Sequence, residues 1–319
     1  MKKYTVQGKK DTRSGFGDGL LEASAENENI VAMCADLTGS VKFDKFAAAH
    51  PDRFFQAGIA EANMIAAAAG LAVGGKVPFV GTFAAFATGR VYDQIRQSVA
   101  YSHTNVKICA SHAGITLGED GATHQIMEDL GLMKMLPGMV VINPADYNQT
   151  KAATKAIAKY VGPVYLRFGR PAEPIFTDAD EPFVIGKAVK WSEGSDVTII
   201  ATGHLLWRAI GAAEALEKEG VTVDLINIHT IKPLDDAAIL ESVRKTGCVV
   251  VAEEHFANGG LADSVAQLLA RTMPAPVEYV NVDDQFGQSG RPAELMSYFG
   301  LDVPDVIAAA KRAISRRRA

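Results

Sequence analysis

The stretch from Gly58 to Phe86 constrains most strongly what this chain can fold into. It reads GIAEANMIAAAAGLAVGGKVPFVGTFAAF, and its Ala, Met and Leu residues favour a helix. Gly70, Gly74 and Gly75 mark where that helix ends. Residues 78–81 then have the pattern of a short buried strand. The stretch therefore predicts one helix followed closely by one buried strand.

Glu61 is the only acid in this stretch, and it lies in the first turn of the predicted helix. The helix dipole alone favours an acid at that position. Among apolar neighbours, desolvation also favours the neutral form of a carboxyl group, which can donate a hydrogen bond. Phe83 and Phe86 follow the strand and are three residues apart, as on one face of a helical turn. The three side chains suit a flat heteroaromatic ring with a basic nitrogen, and the capping interpretation of Glu61 remains open beside this one.

This stretch resembles the pyrimidine-binding domain of the transketolases and related thiamin-diphosphate enzymes. In that family a glutamate protonates a ring nitrogen of the cofactor's aminopyrimidine, and the protein orients a cofactor that carries the chemistry. The resemblance implies that Glu61 is this catalytic glutamate. It also implies that Phe83 and Phe86 contact the aminopyrimidine of thiamin diphosphate.

A polar loop follows the predicted strand at residues 30–35. Ligands in open α/β sheets lie at such carboxyl ends of strands. By resemblance, Asp36 and Leu37 contact the cofactor, and Ser40 reaches a phosphate group of the substrate. Ser40 is also a candidate helix N-cap, and the two roles are compatible.

Residues 112–125, HAGITLGEDGATHQ, form the densest polar run and follow a predicted strand at residues 105–111. His112 and His124 with Asp120 or Glu119 are candidate zinc ligands, although their spacing fits no common zinc motif. The run is also similar to the transketolase signature. That resemblance implies that His112, Asp120 and His124 bind the hydroxyls and phosphate of a sugar phosphate, with His124 also catalytic. Histidine suits this work because it exchanges protons near neutral pH.

Two arginines complete the implied sugar-phosphate site. The resemblance assigns phosphate binding to Arg13 and Arg170, and the forked donors of a guanidinium suit that task. Arg167 is a competing candidate, because the alternation along residues 163–169 does not decide which side faces the pocket.

Gly17-Asp18-Gly19 resembles the motif by which thiamin-diphosphate enzymes hold a divalent metal and the diphosphate. That motif closes a buried strand and is followed further along by an asparagine. Here the preceding residues are polar, and residues 42–49 read KFDKFAAA without an asparagine. We therefore predict no metal ligands in this chain. Magnesium or another divalent ion is expected to be held by a partner subunit.

The second half of the chain alternates strands with helices after a predicted linker at residues 171–182. This alternation predicts a parallel sheet with right-handed crossovers. The half resembles the transketolase C-terminal domain, which in the family mainly builds the dimer. The predicted fold class is therefore α/β with two domains, a pyrimidine-binding domain with a mostly parallel sheet (1–170) and a C-terminal-like domain (183–319). We expect structural roles for Glu253, Glu254, His255, His204 and His229.

The chain begins shortly before the implied pyrimidine domain, so it resembles the C-terminal subunit of a split transketolase. The implied activity is transfer of a two-carbon ketol unit between a ketose phosphate and an aldose phosphate, as in the pentose phosphate pathway. An N-terminal subunit is the expected partner, in a two-plus-two heterotetramer. The alternatives are a split 1-deoxyxylulose-5-phosphate synthase subunit, the beta subunit of a 2-oxo acid dehydrogenase, and a paired regulatory subunit without turnover.

Composition excludes several other classes. With 319 residues, a net charge of −5 and a pI of about 5.8, the chain does not resemble a general nucleic-acid binder. Cys34, Cys109 and Cys248 are far apart and indicate buried thiols of a reduced compartment. The N-terminus lacks a signal-peptide core, and apolar runs long enough for a membrane helix are missing, so we expect a cytoplasmic location. The basic tail, ISRRRA, is expected to be solvated.

Overall fold

A computed structural model describes residues 1–317 of the chain, which form two main sheets with helices on both faces of each. The elements of the first half are β1 (Lys9–Asp11), α1 (Thr12–Glu26), β2 (Ile30–Cys34), α2 (Thr38–Val41), α3 (Asp44–Ala49), a 3₁₀ turn (Pro51–Arg53), β3 (Phe54–Gln56), α4 (Glu61–Val73), β4 (Val77–Phe83), α5 (Ala84–Ala87), a second 3₁₀ turn (Gly89–Val91), α6 (Tyr92–Gln94), a π-helical segment (Ile95–Tyr101), β5 (Lys107–Ser111), α7 (Asp129–Lys134), β6 (Val140–Ile142), α8 (Tyr147–Lys159), β7 (Val164–Arg167) and β8 (Ala172–Pro174).

The second half continues the alternation that the sequence predicts. Its elements are β9 (Val189–Lys190), β10 (Val197–Ala201), α9 (Leu205–Lys218), β11 (Val223–Asn227), β12 (Thr230–Lys232), α10 (Asp236–Thr246), β13 (Val249–Phe256), α11 (Leu261–Thr272), β14 (Val277–Val282), α12 (Pro292–Tyr298) and α13 (Val303–Arg317). The strand order of its sheet is β14-β13-β10-β11-β9, with only β9 antiparallel.

The first main sheet has the order β12-β6-β7-β5-β4-β2-β3, and all its pairs are parallel except β12 with β6. Alternate residues of β4 enter different cores, because side chains along a strand point to opposite faces. Phe79 packs in the core beneath α1 and α3, whereas Val80 packs in the core that lies between the two sheets. The sheet is thus buried on both faces, as parallel sheets usually are.

The two halves are tied together by more than the chain connection. β12 belongs to the second half in sequence, yet it pairs with β6 of the first sheet, Thr230 opposite Ile142. β8 lies inside the predicted linker and pairs antiparallel with β1, Lys9 opposite Pro174. Both strands are only three residues long, and neither was predicted from the sequence.

Gly17-Asp18-Gly19 lies inside α1, and close packing explains its glycines. A Cβ atom on Gly17 would lie 2.6 Å from the carbonyl oxygen of Lys42, and one on Gly19 would lie 2.8 Å from that of Lys151. Asp18 forms an ion pair with Lys10 at 3.2 Å. This segment thus packs α1 against its neighbours.

The sequence favours one helix from about residue 86 to residue 101, but this prediction is wrong, because the chain there breaks into α5, a 3₁₀ turn, α6 and a π-helical segment. The break falls at Thr88, whose hydroxyl donates to the carbonyl oxygen of Ala84 and whose backbone is not helical. Such side-chain bonds to the preceding turn bend helices, and the flexible Gly89 follows. The break brings Arg90 back over the ring of Phe86.

Two further expectations concern burial and the chain end. The three cysteines are buried and unpaired, as predicted. The tail is not simply solvated, because Arg316 pairs with Glu278 at 2.6 Å and Arg317 donates to the carbonyl oxygen of Thr246. The last two tail residues lie outside the described range. Among residues 1–317, none of the helices combines the length and apolarity needed to cross a membrane.

Candidate active site

The candidate site lies along one edge of the first sheet. Parallel strands bring their carboxyl ends to the same edge, where ligands of open α/β sheets bind. Each of five neighbouring strands delivers one predicted residue at or just after its end. From one side of the sheet to the other, these residues are Arg170 after β7, His112 after β5, Phe83 at the end of β4, Asp36 after β2 and Glu61 after β3.

Glu61 begins α4 and is only 5% exposed. Its Oε1 accepts a hydrogen bond from Nη1 of Arg90 at 3.0 Å. The same guanidinium lies over the ring of Phe86, with Cζ 4.0 Å from the ring centroid. Glu61 therefore combines its helix-start position with an ion pair that the sequence analysis did not predict.

An aromatic cluster adjoins this ion pair. The rings of Phe83 and Phe86 stack with centroids 6.0 Å apart, and the ring of His112 stacks on Phe83 at 3.8 Å. His124 lies edge-on to Phe86 at 5.4 Å. Phe83 and Phe86 therefore line one surface with both histidines of the polar run, although His124 is twelve residues beyond His112 in sequence.

His112 is held in an unusual environment. It adopts a left-handed backbone with φ of 59° and is 4% exposed, and its Nδ1 lies 2.8 Å from the hydroxyl of Ser111. Burial, together with the positive charges of Arg13 and Arg170, lowers the pKa of His112 from 6.5 to about 3. The imidazole is therefore neutral near pH 7, with one nitrogen able to donate and the other to accept.

The predicted phosphate-binding arginines meet beside His112. Arg13 donates through Nη1 to the carbonyl oxygen of Ser40 at 3.1 Å and through Nη2 to that of Arg170 at 3.2 Å. Arg170 donates to the carbonyl oxygen of Leu117 at 2.6 Å and pairs with Glu119 at 2.7 Å. The side chain of Arg170 is 39% exposed, so it can reach a ligand.

Arg167, the competing candidate, is buried and committed elsewhere. Its Nε contacts Oδ2 of Asp129 at 2.8 Å, and the side chains of the two residues are 4% and 0% exposed. Burial alone lowers the pKa of an arginine, but the adjacent Asp129 reverses this and raises the pKa of Arg167. Arg170 is therefore the arginine that the geometry favours for a phosphate.

The loop after β2 is tied to the loop before α4. Gln56 accepts hydrogen bonds from the backbone N–H groups of Asp36 at 2.7 Å and Gly58 at 3.2 Å, and it donates to the hydroxyl of Thr38. Asp36 has a left-handed backbone with φ of 59°. Leu37 is the N-cap residue of α2, so the alternative role of Ser40 as an N-cap is wrong.

Asp120 is exposed on the same loop as Glu119. The zinc alternative gains no support, because no three His, Cys, Asp or Glu side chains in the described part of the chain are grouped to hold a metal ion.

The contacts of Arg90 test whether these residues fit an aminopyrimidine. A guanidinium is a flat group that donates hydrogen bonds in its plane. Here it donates to Glu61 while lying over Phe86. A flat heteroaromatic ring could occupy the place of this guanidinium, with a ring nitrogen hydrogen-bonded to the carboxyl group of Glu61 and one face of the ring on Phe86. The chemistry of this donor set therefore fits the group that the sequence implies.

Comparisons with known proteins were made for the sequence and for the fold. Residues 8–174 match the family model described as the transketolase pyrimidine binding domain, and residues 186–306 match that of the transketolase C-terminal domain. With the two sheets described above, these matches confirm the predicted fold class.

Two relatives are similar over nearly their whole length. A protein of Methanocaldococcus jannaschii described as a transketolase C-terminal section is 45% identical, over 92% of this chain and 93% of that protein. A 6-deoxy-6-sulfo-D-fructose transketolase subunit of Clostridium sp. is 43% identical, over 96% of this chain and 95% of that protein. A solved structure of a split gene transketolase, described as an inactive β4 tetramer, superposes with a TM-score of 0.91 at 45% identity, covering 97% of this chain and 99% of that one.

Proposed function

Since this chain belongs to the transketolase family, as its sequence predicted, we propose that it is the C-terminal subunit of a split transketolase. In this proposal it transfers a two-carbon ketol unit between a ketose phosphate and an aldose phosphate. A separate N-terminal subunit completes the enzyme. The observation that carries the proposal is Glu61, buried at the carboxyl edge of the first sheet and bridged by a flat cation to the face of Phe86.

The first group of residues acts on the cofactor. Thiamin diphosphate supplies the carbon nucleophile that carries the ketol unit in this family. Glu61 holds a proton at the ring nitrogen of the aminopyrimidine, and Phe83 and Phe86 orient the ring and exclude water from it. Arg90 must leave Glu61 for this contact to form, and its half-exposed side chain has room to move into solvent.

The second group of residues binds the sugar phosphate. Arg13 and Arg170 neutralise the phosphate, which charge-assisted hydrogen bonds favour. The Nδ1 atom of neutral His112 faces the Ser111 hydroxyl, so Nε2 is the nitrogen that can hydrogen-bond one oxygen of the sugar. His124 lies against Phe86, next to the proposed ring position, and would transfer a proton to or from the bound substrate. Asp120 and Ser40 contact hydroxyl or phosphate oxygens at the exposed side.

The third part of the proposal concerns the partner. The N-terminal subunit holds the diphosphate and a magnesium ion, and two copies of each subunit form the active assembly. Two relatives support this part of the proposal, because one is named a C-terminal section and the other a subunit. Both proteins match this chain over nearly all of their lengths. The similar solved structure is described as an inactive tetramer of β chains, which agrees with a subunit that needs a partner.

The names of the relatives also bear on the identity of the sugar. One relative is named for 6-deoxy-6-sulfo-D-fructose, whose terminal anion is a sulfonate, so a sulfosugar is a second candidate substrate beside the sugar phosphate. The relatives described above are named as transketolase parts, which favours ketol transfer over the synthase and dehydrogenase alternatives.

The test of this proposal is Glu61→Gln, assayed with the N-terminal subunit, thiamin diphosphate and magnesium. Ketol transfer should fall by about a hundredfold or more, because a positioned proton-transfer group contributes roughly that much. The matched control is Glu26→Gln, an exposed acid at the far end of α1 whose loss should leave the rate unchanged. Near-native turnover by a folded Glu61→Gln enzyme would contradict the proposal.

A further inference from the structure

One carboxylate of the second half reaches across to the loop that carries the candidate sugar-binding residues. Glu254 lies on β13 and is 3% exposed. Its Oε1 accepts a hydrogen bond from the backbone N–H of Thr116 at 2.7 Å. Thr116 lies between His112 and Asp120, so the contact joins the two halves in the middle of the loop.

Glu254 is itself held firmly. Its strand lies inside the second sheet and pairs with β10 and β14 up to Ala252, and again with β14 at Phe256, on either side of Glu254. Its backbone carbonyl oxygen accepts a hydrogen bond from Nη2 of Arg167 at 2.8 Å, and Arg167 is fixed by its buried ion pair with Asp129. A side chain anchored in this way can fix the position of a loop that has no regular secondary structure of its own.

The loop is shaped around this carboxylate. Gly114 has a left-handed backbone with φ of 75°, and a Cβ atom there would lie 2.1 Å from Oε1 of Glu254. Glycine is therefore required at this position both for the backbone conformation and for the close approach. The loop approaches the Glu254 side chain itself, because the atoms that a Cβ would meet are Oε1, Cδ and Cγ of Glu254.

The other carboxylate oxygen of Glu254 faces His204, which packs beside the segment that leads into Arg170. Oε2 lies 3.9 Å from Nδ1 of His204, which is also buried. The ring of His204 packs against Gly169, where a Cβ atom would lie 2.2 Å from Cε1. Gly169 directly precedes Arg170. The Glu254–His204 pair thus touches two of the chain segments that carry proposed sugar-phosphate residues, the loop after β5 and the segment before Arg170.

We propose that Glu254 is a positioning residue of the sugar-phosphate site, an inference that rests on the function proposed above. Its carboxylate fixes the backbone at Thr116, and the fixed loop places His112 and Asp120 for the sugar. The same loop supplies the carbonyl oxygen of Leu117, which orients Arg170. The expectation of a purely structural role for Glu254 is thereby replaced by a role in substrate binding.

Glu253 provides a matched control on the same strand. It is fully buried, and its two oxygens accept hydrogen bonds from the backbone N–H groups of Leu261 at 2.7 Å and Ala262 at 2.8 Å. Adjacent residues on a strand point to opposite faces. Glu253 therefore caps α11 within the second half, whereas Glu254 faces the first half.

The kinetic experiment uses the enzyme assembled with its N-terminal subunit. Glu254→Ala and the shorter Glu254→Asp should raise KM by about tenfold or more for phosphorylated and unphosphorylated ketoses alike, because the buried hydrogen bond that orders the loop is lost and the Thr116 N–H is left without its acceptor. Glu254→Gln keeps an oxygen for Thr116 and should stay within about threefold of the wild-type KM. Glu253→Ala should lower Tm and leave KM unchanged. Equal effects of Glu253→Ala and Glu254→Asp on KM would overturn the inference.

Hydrogen exchange on the isolated chain separates this inference from the proposed function. Glu254→Asp should speed amide exchange in peptides spanning residues 112–120, and Glu253→Ala should do so in residues 260–265. If the assembled wild-type enzyme lacks ketol transfer, the proposed function fails while the exchange result still tests the hold on the loop. Unchanged exchange in residues 112–120 of Glu254→Asp would overturn the positioning role whether or not the enzyme is active.

Discussion

Arg170→Ala is the most informative single substitution in the proposed phosphate site. Arg170 donates to the carbonyl oxygen of Leu117 at 2.6 Å and pairs with Glu119 at 2.7 Å. Both side chains of this ion pair are more than a third exposed, so breaking the pair costs the fold little. The loss should therefore appear in substrate binding and not in stability.

The magnitude follows from the contact that Arg170 would make with phosphate. A hydrogen bond to a charged group contributes about 1.5–3 kcal/mol, which corresponds to roughly ten- to a hundredfold in binding. The assay compares KM for a ketose phosphate with KM for the same ketose without phosphate, using the enzyme assembled with its partner. Only the phosphorylated substrate should lose affinity by this factor.

A control and a refuting result complete the test. Arg53→Ala removes a guanidinium that donates to the backbone carbonyl oxygens of Ser24 and Asn27, away from the site, and should leave both KM values unchanged. If Arg170→Ala raised KM equally for both classes of substrate, Arg170 would be holding the loop and not binding the phosphate, and the reasoning would be wrong.

Two predictions concern stability. Arg167→Ala should lower the free energy of unfolding in urea by about 3–5 kcal/mol, because the carboxylate of Asp129 stays buried without its partner. The double substitution of Arg167→Met and Asp129→Leu should lower it by less, because neither charge is then left buried alone. Burial, together with the positive charges of the nearby arginines, lowers the pKa of His112 to about 3. Burial lowers the pKa of His229 to about 4. The unfolded chain then binds more protons than the folded chain between these values and about 6.5, so stability falls as pH drops through that window. From pH 7 to pH 5 each histidine should cost about 2 kcal/mol, and an unchanged loss in His112→Asn or His229→Asn would contradict this.

Local patterns in the sequence predicted where several strands end. Phe83, His112 and Arg170 each follow a predicted strand, and parallel strands bring such ends to one edge. The choice of these residues came from the family resemblance, and the strand β3 before Glu61 was not predicted from the sequence.

The contacts that the sequence did not predict depend on tertiary structure. Arg90 reaches Glu61 only because the chain breaks at Thr88, where a side-chain hydrogen bond overrides a sequence that looks continuously helical. Glu254 meets Thr116 across 138 residues, and no spacing rule connects them. The three-residue strand β12 was missed because so short a run carries no readable periodicity.

In the function proposed above, this chain needs a partner for catalysis. The most direct measurement is ketol transfer and thiamin diphosphate binding by the purified chain, first alone and then with the N-terminal subunit and magnesium. We predict that the chain alone binds thiamin diphosphate weakly and is inactive, and that activity rises with added partner until the two chains are equimolar. Full turnover by this chain alone, or tight magnesium-dependent binding of thiamin diphosphate without the partner, would contradict the account.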